Sequence, residues 1–201
     1  YASRVHAVLQ LIWHTGCRIS AVVSLDMEDL DAAESFIRFR NRRDTGTPLK
    51  NGDKGERNVT IDRRTREVLV DYIEAKRKPR SDEAGRDPLF TNQNGRMTRQ
   101  NAYKDFTAIC RPCEVRNECP HNRDIQECEA ALRKSDAYQC PSTTTLHSIR
   151  RGSITYHLNQ GWPVDAVSER CDVSRRILEK HYDVRTPEDK RNGREGHMDR
   201  L

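Results

Sequence analysis

The sequence predicts a mainly α-helical protein with one small antiparallel β-sheet. Three observations support this class: apolar residues recur at helical spacing along most of the chain, two short stretches have strand character, and a long polar loop joins those stretches. No apolar run among the 201 residues reaches the ~18 that a membrane span requires, and no stretch is typical of a signal peptide. Membrane and fibrous classes are therefore excluded, and we expect a cytoplasmic protein without a membrane partner.

Two helices are predicted at the start. The spacing i, i+3, i+4, i+7 predicts a helix over residues 3–14; its apolar stripe consists of Val5, Val8, Leu9 and Ile12. Gly16 supplies a stop signal just past the stripe. A shorter helix is expected to begin around Arg18 and to carry the next apolar residues inward.

A hairpin and a third helix follow. Residues 35–40 and 57–61 have strand character, and the polar segment between them contains Gly46, Gly52 and Gly55, which is typical of a long hairpin loop. Asp62 then provides an N-cap for a helix. Its predicted buried face consists of Val68, Leu69, Tyr72 and Ile73.

The second half begins with irregular structure and returns to helices. Residues 77–88 are predicted to form a loop, 89–91 a short strand before the Asn94-Gly95 turn, and Thr98 the cap of a helix that reaches Cys110. After a Cys-rich segment, the remaining helices are expected over 147–159 and from Pro163 and Ser174, with a turn at Gly161.

The charge balance indicates a class of partner. The chain carries a formal net charge of +5 with 33% charged residues. Basic clusters occur at 38–43, 76–80 and 147–151. A solvated surface explains such density equally well, but clustering favours a polyanion such as DNA.

The cysteines suggest a metal site. Five of the seven lie between Cys110 and Cys140. In a reducing compartment, such a cluster is more typical of a structural zinc site than of disulfides. We predict as ligands Cys113, Cys119, Cys128 and Cys140. Cys110 would remain in the preceding helix, His121 could replace one ligand, and the alternative is that all five are ordinary small buried residues.

Four residues have the chemistry to cut a phosphodiester, which requires a nucleophile, cations near the phosphate and a proton donor. His147 and Arg150 are three residues apart on a predicted helix and share one face. Arg18 lies between two helices, and Tyr182 follows the last one. Taken singly, each is also typical of a solvated or packing position.

The order of three segments is more specific. They are T-G-C-R-I-S (15–20), H-S-I-R-R-G-S-I-T-Y-H-L-N-Q-G (147–161) and D-V-S-R-R-I-L-E-K-H-Y (172–182). The chain resembles the catalytic domain of the tyrosine recombinases, the phage integrase family, over roughly residues 3–186, and looks most like integrases of haloarchaea and their viruses. The resemblance implies a catalytic domain over 1–186 that includes the Cys-rich insert at 110–140, and a polar C-terminal tail over 187–201. The family's N-terminal DNA-clamping domain is expected to be absent.

The resemblance also implies roles for these residues. Tyr182 would attack the scissile phosphate to form a 3′-phosphotyrosyl link and release a 5′-hydroxyl. Arg18 and Arg150 would hold the non-bridging oxygens, and His147 would assist proton transfer. Neither ATP nor a catalytic metal would be needed.

A lysine in the hairpin loop would protonate the leaving oxygen. Lys50 and Lys54 both lie there, and we favour Lys50 because it follows the first strand more closely. The implied partners are double-stranded DNA and further protomers, as a tetramer in the synapse.

The sequence departs from the family pattern at three positions. Ala21 stands where the family usually has an acidic residue, so we expect Asp26 or Glu28 to hold Arg18. Asp172 aligns with the family's second histidine and could accept a hydrogen bond as an auxiliary residue. We favour another role, which is to cap the next helix, by Asp172 itself or by Ser174. Arg151 replaces a common histidine and could contact another phosphate.

These departures keep two alternatives open. One is a DNA-binding module of the same fold that has lost catalysis. The other is a type IB topoisomerase, which uses the same Tyr, Arg and Lys chemistry, although the family boxes favour an integrase or recombinase.

Overall fold

The computed structural model describes residues 1–182 and positions 186, 188 and 191. Apart from positions 188 and 191, the tail predicted over 187–201 lies outside the described residues. The described helices are α1 (Arg4–Thr15), α2 (Ile19–Ser24), α3 (Arg63–Ala75), α4 (Arg99–Ile109), α5 (Pro112–Arg116), α6 (Glu129–Leu132), α7 (Leu146–Asn159), α8 (Val164–Cys171) and α9 (Arg175–His181). The strands are β1 (Leu30–Asp31), β2 (Phe36–Phe39), β3 (Arg57–Thr60), β4 (Thr91–Asn92) and β5 (Gly95–Arg96). The predicted fold class is confirmed.

The strands form two antiparallel sheets. The larger has the order β1-β2-β3, and Ile37 lies opposite Val59 in its centre. β4 and β5 form a separate hairpin whose turn consists of residues 93 and 94, one residue earlier than the predicted Asn94-Gly95 turn. The sequence does not reveal β1, because two residues are too few to show an alternating pattern. The predicted strand at 89–91 begins at Thr91 instead.

Local signals fix three of the predicted helix ends. Gly16 ends α1 with a φ of 61°, in the left-handed region that favours glycine. Asp62 accepts a hydrogen bond from the Thr65 amide at the start of α3, and Thr98 caps α4 through the Asn101 amide. These predicted boundaries are confirmed.

Two hydrophobic clusters stabilise the protein. The larger joins α1 to α4 and the three-stranded sheet, and its most buried large residues include Leu11, Phe39, Tyr72, Phe90 and Phe106. The smaller joins α7, α8 and α9, and consists of Ile154, Leu158, Val167, Cys171, Val173, Leu178 and Tyr182. In the described part of the chain, no helix has the length and hydrophobicity needed to cross a bilayer.

The Cys-rich insert is held mainly by polar contacts. Its buried residues include Arg111, Ala130 and Ala137, whereas Val115 is 75% exposed. Arg111 donates hydrogen bonds to carbonyls at both ends of the insert and pairs with a carboxylate; its acceptors are the carbonyls of Ala108, Ala130 and Ala131 and the side chain of Glu114. One buried guanidinium therefore joins α4, α5 and α6.

Candidate active site

The predicted site residues converge on one open cleft. It has a volume of about 420 Å³ and lies between the start of α2, the first turns of α7 and the end of α9. Its lining consists of Arg18, His147, Arg150, Arg151, Ile177, His181 and Tyr182. Residues from both ends of the chain thus meet at a single surface.

Arg150 is the buried centre of the cleft. Only 2% of this residue is exposed, and its Nη1 atom donates to the carbonyl oxygens of Gly16 at 2.5 Å and Cys171 at 2.7 Å. Burial, and then the charge of Arg18, lower the pKa of Arg150, but an arginine remains a cation at neutral pH. The two carbonyls therefore fix a positive charge where α1, α7 and α8 meet.

Arg18 is held by a residue that the sequence did not suggest for that purpose. Its Nη1 atom donates to the carbonyl oxygen of Asp172 at 2.7 Å and to the Oδ2 atom of the same residue at 2.6 Å. The Arg18 side chain is 31% exposed, so it stays accessible from the cleft. The expectation that Asp26 or Glu28 holds Arg18 is wrong, because Asp26 pairs with Arg42, Arg86 and Arg96, and Glu28 with Arg40 and Arg42.

Asp172 ends one helix and holds Arg18, and it does not cap the helix that follows. It ends α8 with a φ of 52°, and its carboxylate points to Arg18 and Asn51. Ser174 occupies the N-cap position of α9 but makes no side-chain capping bond within the described residues. Asp172 therefore does not cap α9, where Ser174 holds the N-cap position, and its carboxylate pairs with Arg18 in place of the acidic residue missing at Ala21.

Tyr182 closes the cleft. It is the residue that follows the last residue of α9, is 7% exposed and packs in the smaller hydrophobic cluster. It lines the cleft together with Arg18 and Arg150, so the hydroxyl that can act as a nucleophile and the two guanidinium groups belong to one site.

His147 is positioned to remain neutral. It lies one turn before Arg150 on α7 and is exposed at the cleft. Partial burial lowers its pKa, and the charges of Arg150, Arg151 and Arg18 lower it further. At pH 7 the imidazole is therefore able to accept a proton.

The loop with both candidate lysines reaches this site. Asn51 in the β2–β3 loop donates to Oδ1 of Asp172 at 2.6 Å, and Gly55 also lies beside Asp172. Lys50 and Lys54 are exposed, and each adjoins one of these two residues. The geometry does not favour one lysine over the other, so the choice of Lys50 stays a prediction.

Sequence reasoning missed residues that support the cleft from behind. Arg57 on β3 donates to the carbonyls of Gly55 at 2.7 Å and Arg170 at 2.9 Å, and its guanidinium lies 4.3 Å from the Phe39 ring centroid. Burial lowers the pKa of Arg57. Arg170 and Arg57 are 113 positions apart, so no local pattern could have paired them. His181 also lines the cleft, and its place beside Tyr182 was the available signal.

Most of the first basic cluster is neutralised within the protein. Arg38 pairs with Asp31, and Arg40 and Arg42 pair with the acidic segment that follows α2. Arg43 is exposed, as is Arg151 at the cleft. Three of the four arginines in this cluster are therefore paired with carboxylates of the protein itself.

The insert brings the predicted metal ligands to one place. A small cavity is lined by Cys113, Cys119, Cys128, Cys140 and His121, together with Arg111, Arg123, Ile125, Ala130, Ala131 and Pro141. Cys110 ends α4 and packs against the larger core instead. None of the cysteines is in a disulfide, and across the described residues no group of three His, Cys, Asp or Glu side chains is arranged to hold a metal.

Curated relatives of the chain are integrases and recombinases. A probable integrase/recombinase of Methanocaldococcus jannaschii is 28% identical over 163 residues, covering 81% of this chain and 40% of that protein. The tyrosine recombinase XerD of Listeria monocytogenes is 31% identical over 183 residues, covering 89% of this chain and 50% of XerD. The chain thus spans half or less of the length of these relatives.

Solved structures and a family model agree on the fold. The Tn1549 transposon integrase, solved with circular intermediate DNA, superposes with a TM-score of 0.67 at 20% identity, covering 98% of this chain and 58% of that one. XerA recombinase gives a TM-score of 0.59 at 16% identity, with 96% and 56% covered. The phage integrase family model matches residues 2–182. The chain therefore belongs to the phage integrase family.

Proposed function

We propose that the chain is the catalytic part of a site-specific DNA recombinase or integrase that cuts and rejoins DNA through a 3′-phosphotyrosyl intermediate. The convergence of Tyr182, His147, Arg18 and Arg150 on one cleft carries this proposal. These side chains supply a nucleophile, a proton acceptor and two fixed cations at one cleft.

In the forward step, the Tyr182 oxygen forms an ester bond to phosphorus and the bond from phosphorus to the 5′-oxygen breaks. The phenol proton passes to neutral His147, and the leaving oxygen takes a proton from Lys50 or Lys54. Arg18 and Arg150 stabilise the negative charge that develops on the non-bridging oxygens. Attack by a 5′-hydroxyl reverses the step, so rejoining needs no external energy source.

Two auxiliary residues complete the site. Arg151 is exposed at the cleft and contacts a further phosphate of the bound strand. Asp172 orients Arg18 through a bond between the guanidinium and the carboxylate. This carboxylate answers the main argument for a module without catalysis, because Arg18 keeps an acidic partner despite Ala21.

The substrate is double-stranded DNA, and several protomers act on it together. Support comes from the Tn1549 integrase, solved with circular intermediate DNA, and from XerH, solved with a palindromic difH substrate. A palindromic site suits symmetric protomers. We therefore propose a tetramer in the synapse, acting in the cytoplasm.

A nicked suicide substrate tests this function. The probe is a pool of duplexes with randomised sequence, labelled at the 5′ end, each with a nick downstream of the region to be cleaved. Cleavage releases a short 5′-hydroxyl fragment that diffuses away, which traps the labelled strand on the protein. We expect an SDS-resistant labelled adduct that Tyr182→Phe abolishes.

The control for this experiment is Tyr138→Phe, which removes a hydroxyl from an exposed tyrosine in the insert and leaves the adduct intact. Binding of the pool without an adduct would favour the DNA-binding module. Relaxation of supercoiled plasmid without strand exchange between two duplexes would favour a topoisomerase.

We also propose that Cys113, Cys119, Cys128 and Cys140 hold a structural zinc ion. Four thiols are a donor set that zinc prefers, and these four face one cavity in a segment with few large buried residues. Cys171 lies at the end of α8, outside the insert, and differs from these four cysteines. Burial raises the pKa of its thiol to about 11, so the thiol stays neutral and packs in the smaller hydrophobic cluster. The zinc would replace the hydrophobic core that the insert lacks.

Metal analysis of the purified, reduced protein tests this site. We expect about one zinc per chain, and loss of that zinc when any of the four cysteines is changed to serine. Cys110→Ser is the matched control and keeps its zinc. Loss of zinc in His121→Ala would show that the histidine is a ligand. The same zinc content in every variant would show that these cysteines do not form a zinc site.

A further inference from the structure

The β2–β3 loop is a folded unit. The side chain of Asn41 accepts from the Leu49 amide at 3.0 Å and donates to Asp53 at 2.6 Å, while its backbone amide donates to Glu56 at 2.7 Å. One asparagine therefore ties three points of the loop together. These bonds join parts of the loop on both sides of the lysines, so a contact at one point of the loop constrains both lysines.

Away from the cleft, the loop is held by Leu49, which is buried in the larger hydrophobic cluster, and by Arg86, which donates to Thr45 and Thr47. Beside the cleft, it is held by the contact between Asn51 and Asp172. The two carboxylate oxygens of Asp172 have separate partners: Oδ1 accepts from Asn51 at 2.6 Å and Oδ2 from Arg18 at 2.6 Å. At Gly55, an added Cβ would lie 3.4 Å from Oδ2 of Asp172, so the backbone of the loop approaches the same carboxylate. One residue thus contacts both an arginine of the cleft and the lysine-bearing loop.

The backbone of Asp172 makes this possible. Its left-handed conformation, with a φ of 52°, is tolerated best by glycine, asparagine and aspartate. Its carbonyl accepts from Arg18 at 2.7 Å and from Arg150 at 3.4 Å. The backbone of Asp172 is therefore fixed to both arginines by contacts that do not involve the loop.

We propose that Asn51 is a positioning residue, which docks the lysine-bearing loop on Asp172 and so couples the proton donor to the arginines that hold the phosphate. Its catalytic consequence rests on the proposed function, whereas the docking itself does not. Asp172 thereby links the two arginines of the cleft to the lysine-bearing loop.

Hydrogen exchange tests the docking without DNA. The reporters are the Gly52 and Glu56 amides, which donate within the loop at 3.2 and 3.1 Å. We expect Asn51→Ala to accelerate their exchange about tenfold, the effect of losing one hydrogen bond to a charged group. Asn159→Ala is the control, since Asn159 is exposed at the far end of α7 from His147.

Exchanging the hydrogen-bond donor and acceptor between positions 51 and 172 distinguishes loss of this contact from general destabilisation of the protein. Asn51→Asp opposes two carboxylates and is expected to accelerate exchange more than Asn51→Ala. Combining it with Asp172→Asn recreates a donor and an acceptor across the contact, and Asn tolerates the left-handed backbone. The double variant should regain most of the protection. Unchanged hydrogen exchange in both Asn51→Ala and Asn51→Asp would overturn the docking. A double variant that exchanges as fast as Asn51→Asp would overturn it as well.

The catalytic consequence is read from two suicide substrates, one with the normal 5′-oxygen and one with sulfur in its place. A sulfur leaving group needs no proton donor. We expect Asn51→Ala to slow adduct formation about tenfold or more on oxygen and to regain nearly the wild-type rate on sulfur. Equal slowing on both would overturn the positioning role. If the wild type forms no adduct, the proposed function fails, and exchange alone decides the docking.

Discussion

The cleft and the Cys-rich insert both contain irregular backbone that is held by arginines, but they differ in how much apolar packing surrounds those arginines. In the cleft, irregular backbone is fixed by buried arginines against two hydrophobic clusters, and Gly16 lets α1 approach Cys171 closely. In the insert, Arg111 makes comparable contacts to carbonyls, but little apolar surface surrounds it. The cleft is therefore expected to be rigid without any ligand, whereas the insert needs its polar contacts and the proposed zinc.

The largest effect is expected from Gly16→Ala. A Cβ there would lie 2.4 Å from the Cys171 Sγ atom, and the φ of 61° is strained for alanine. We expect the free energy of unfolding to fall by about 2 to 5 kcal/mol, the sum of overpacking and left-handed strain. Chemical denaturation measures the loss.

Gly161→Ala is the matched control for this prediction. Its φ is 78°, but an added Cβ meets nothing within 4 Å. It should cost only the conformational strain, about 1 to 2 kcal/mol. Equal losses in both variants would show that close approach to Cys171 is not what fixes the cleft.

A smaller and more local effect is expected from Arg111→Met. The change keeps the aliphatic part of the side chain but leaves the carbonyls of Ala108, Ala130 and Ala131 without their donor, which we expect to cost about 2 to 3 kcal/mol. Hydrogen exchange should accelerate across α6 and remain unchanged in α1. The exposed Arg116→Met should change neither region, and global unfolding in Arg111→Met would contradict a separate insert.

Helix ends and contacts within the cleft differ in how well the sequence predicts them. Helix ends at Gly16, Asp62 and Thr98 follow from signals within a few residues, so they were predictable. The partner of Arg18 was not, because Asp172 is 154 positions away while Asp26 and Glu28 are nearby. Those two carboxylates are taken by other arginines, and only the folded chain decides that competition.

The same distinction applies to the residues of the cleft, some of which the sequence predicts and some of which it does not. The order of the motifs predicted which side chains would meet at the cleft, because family resemblance encodes tertiary proximity. It did not predict Asn51, Arg57 or Arg170, which support the cleft through backbone carbonyls and one carboxylate. Such contacts depend on loop conformation rather than on residue periodicity.

The smallest effect concerns the pH dependence of the cleft. If His147 accepts the phenol proton, adduct formation falls as pH drops through the pKa of His147, which burial and then Arg150, Arg151 and Arg18 hold below the usual ~6.5. The other titratable side chains at the cleft are His181 and Tyr182. Removing a nearby positive charge makes protonation easier, so Arg151→Ala should raise this pKa and move the acid limb of the rate profile to higher pH. Arg151→Lys keeps the charge and should leave the limb in place. A limb that moves equally in both variants, or in neither, would show that Arg151 does not keep His147 neutral, and the electrostatic preorganisation ascribed to the cleft would then rest on Arg18 and Arg150 alone.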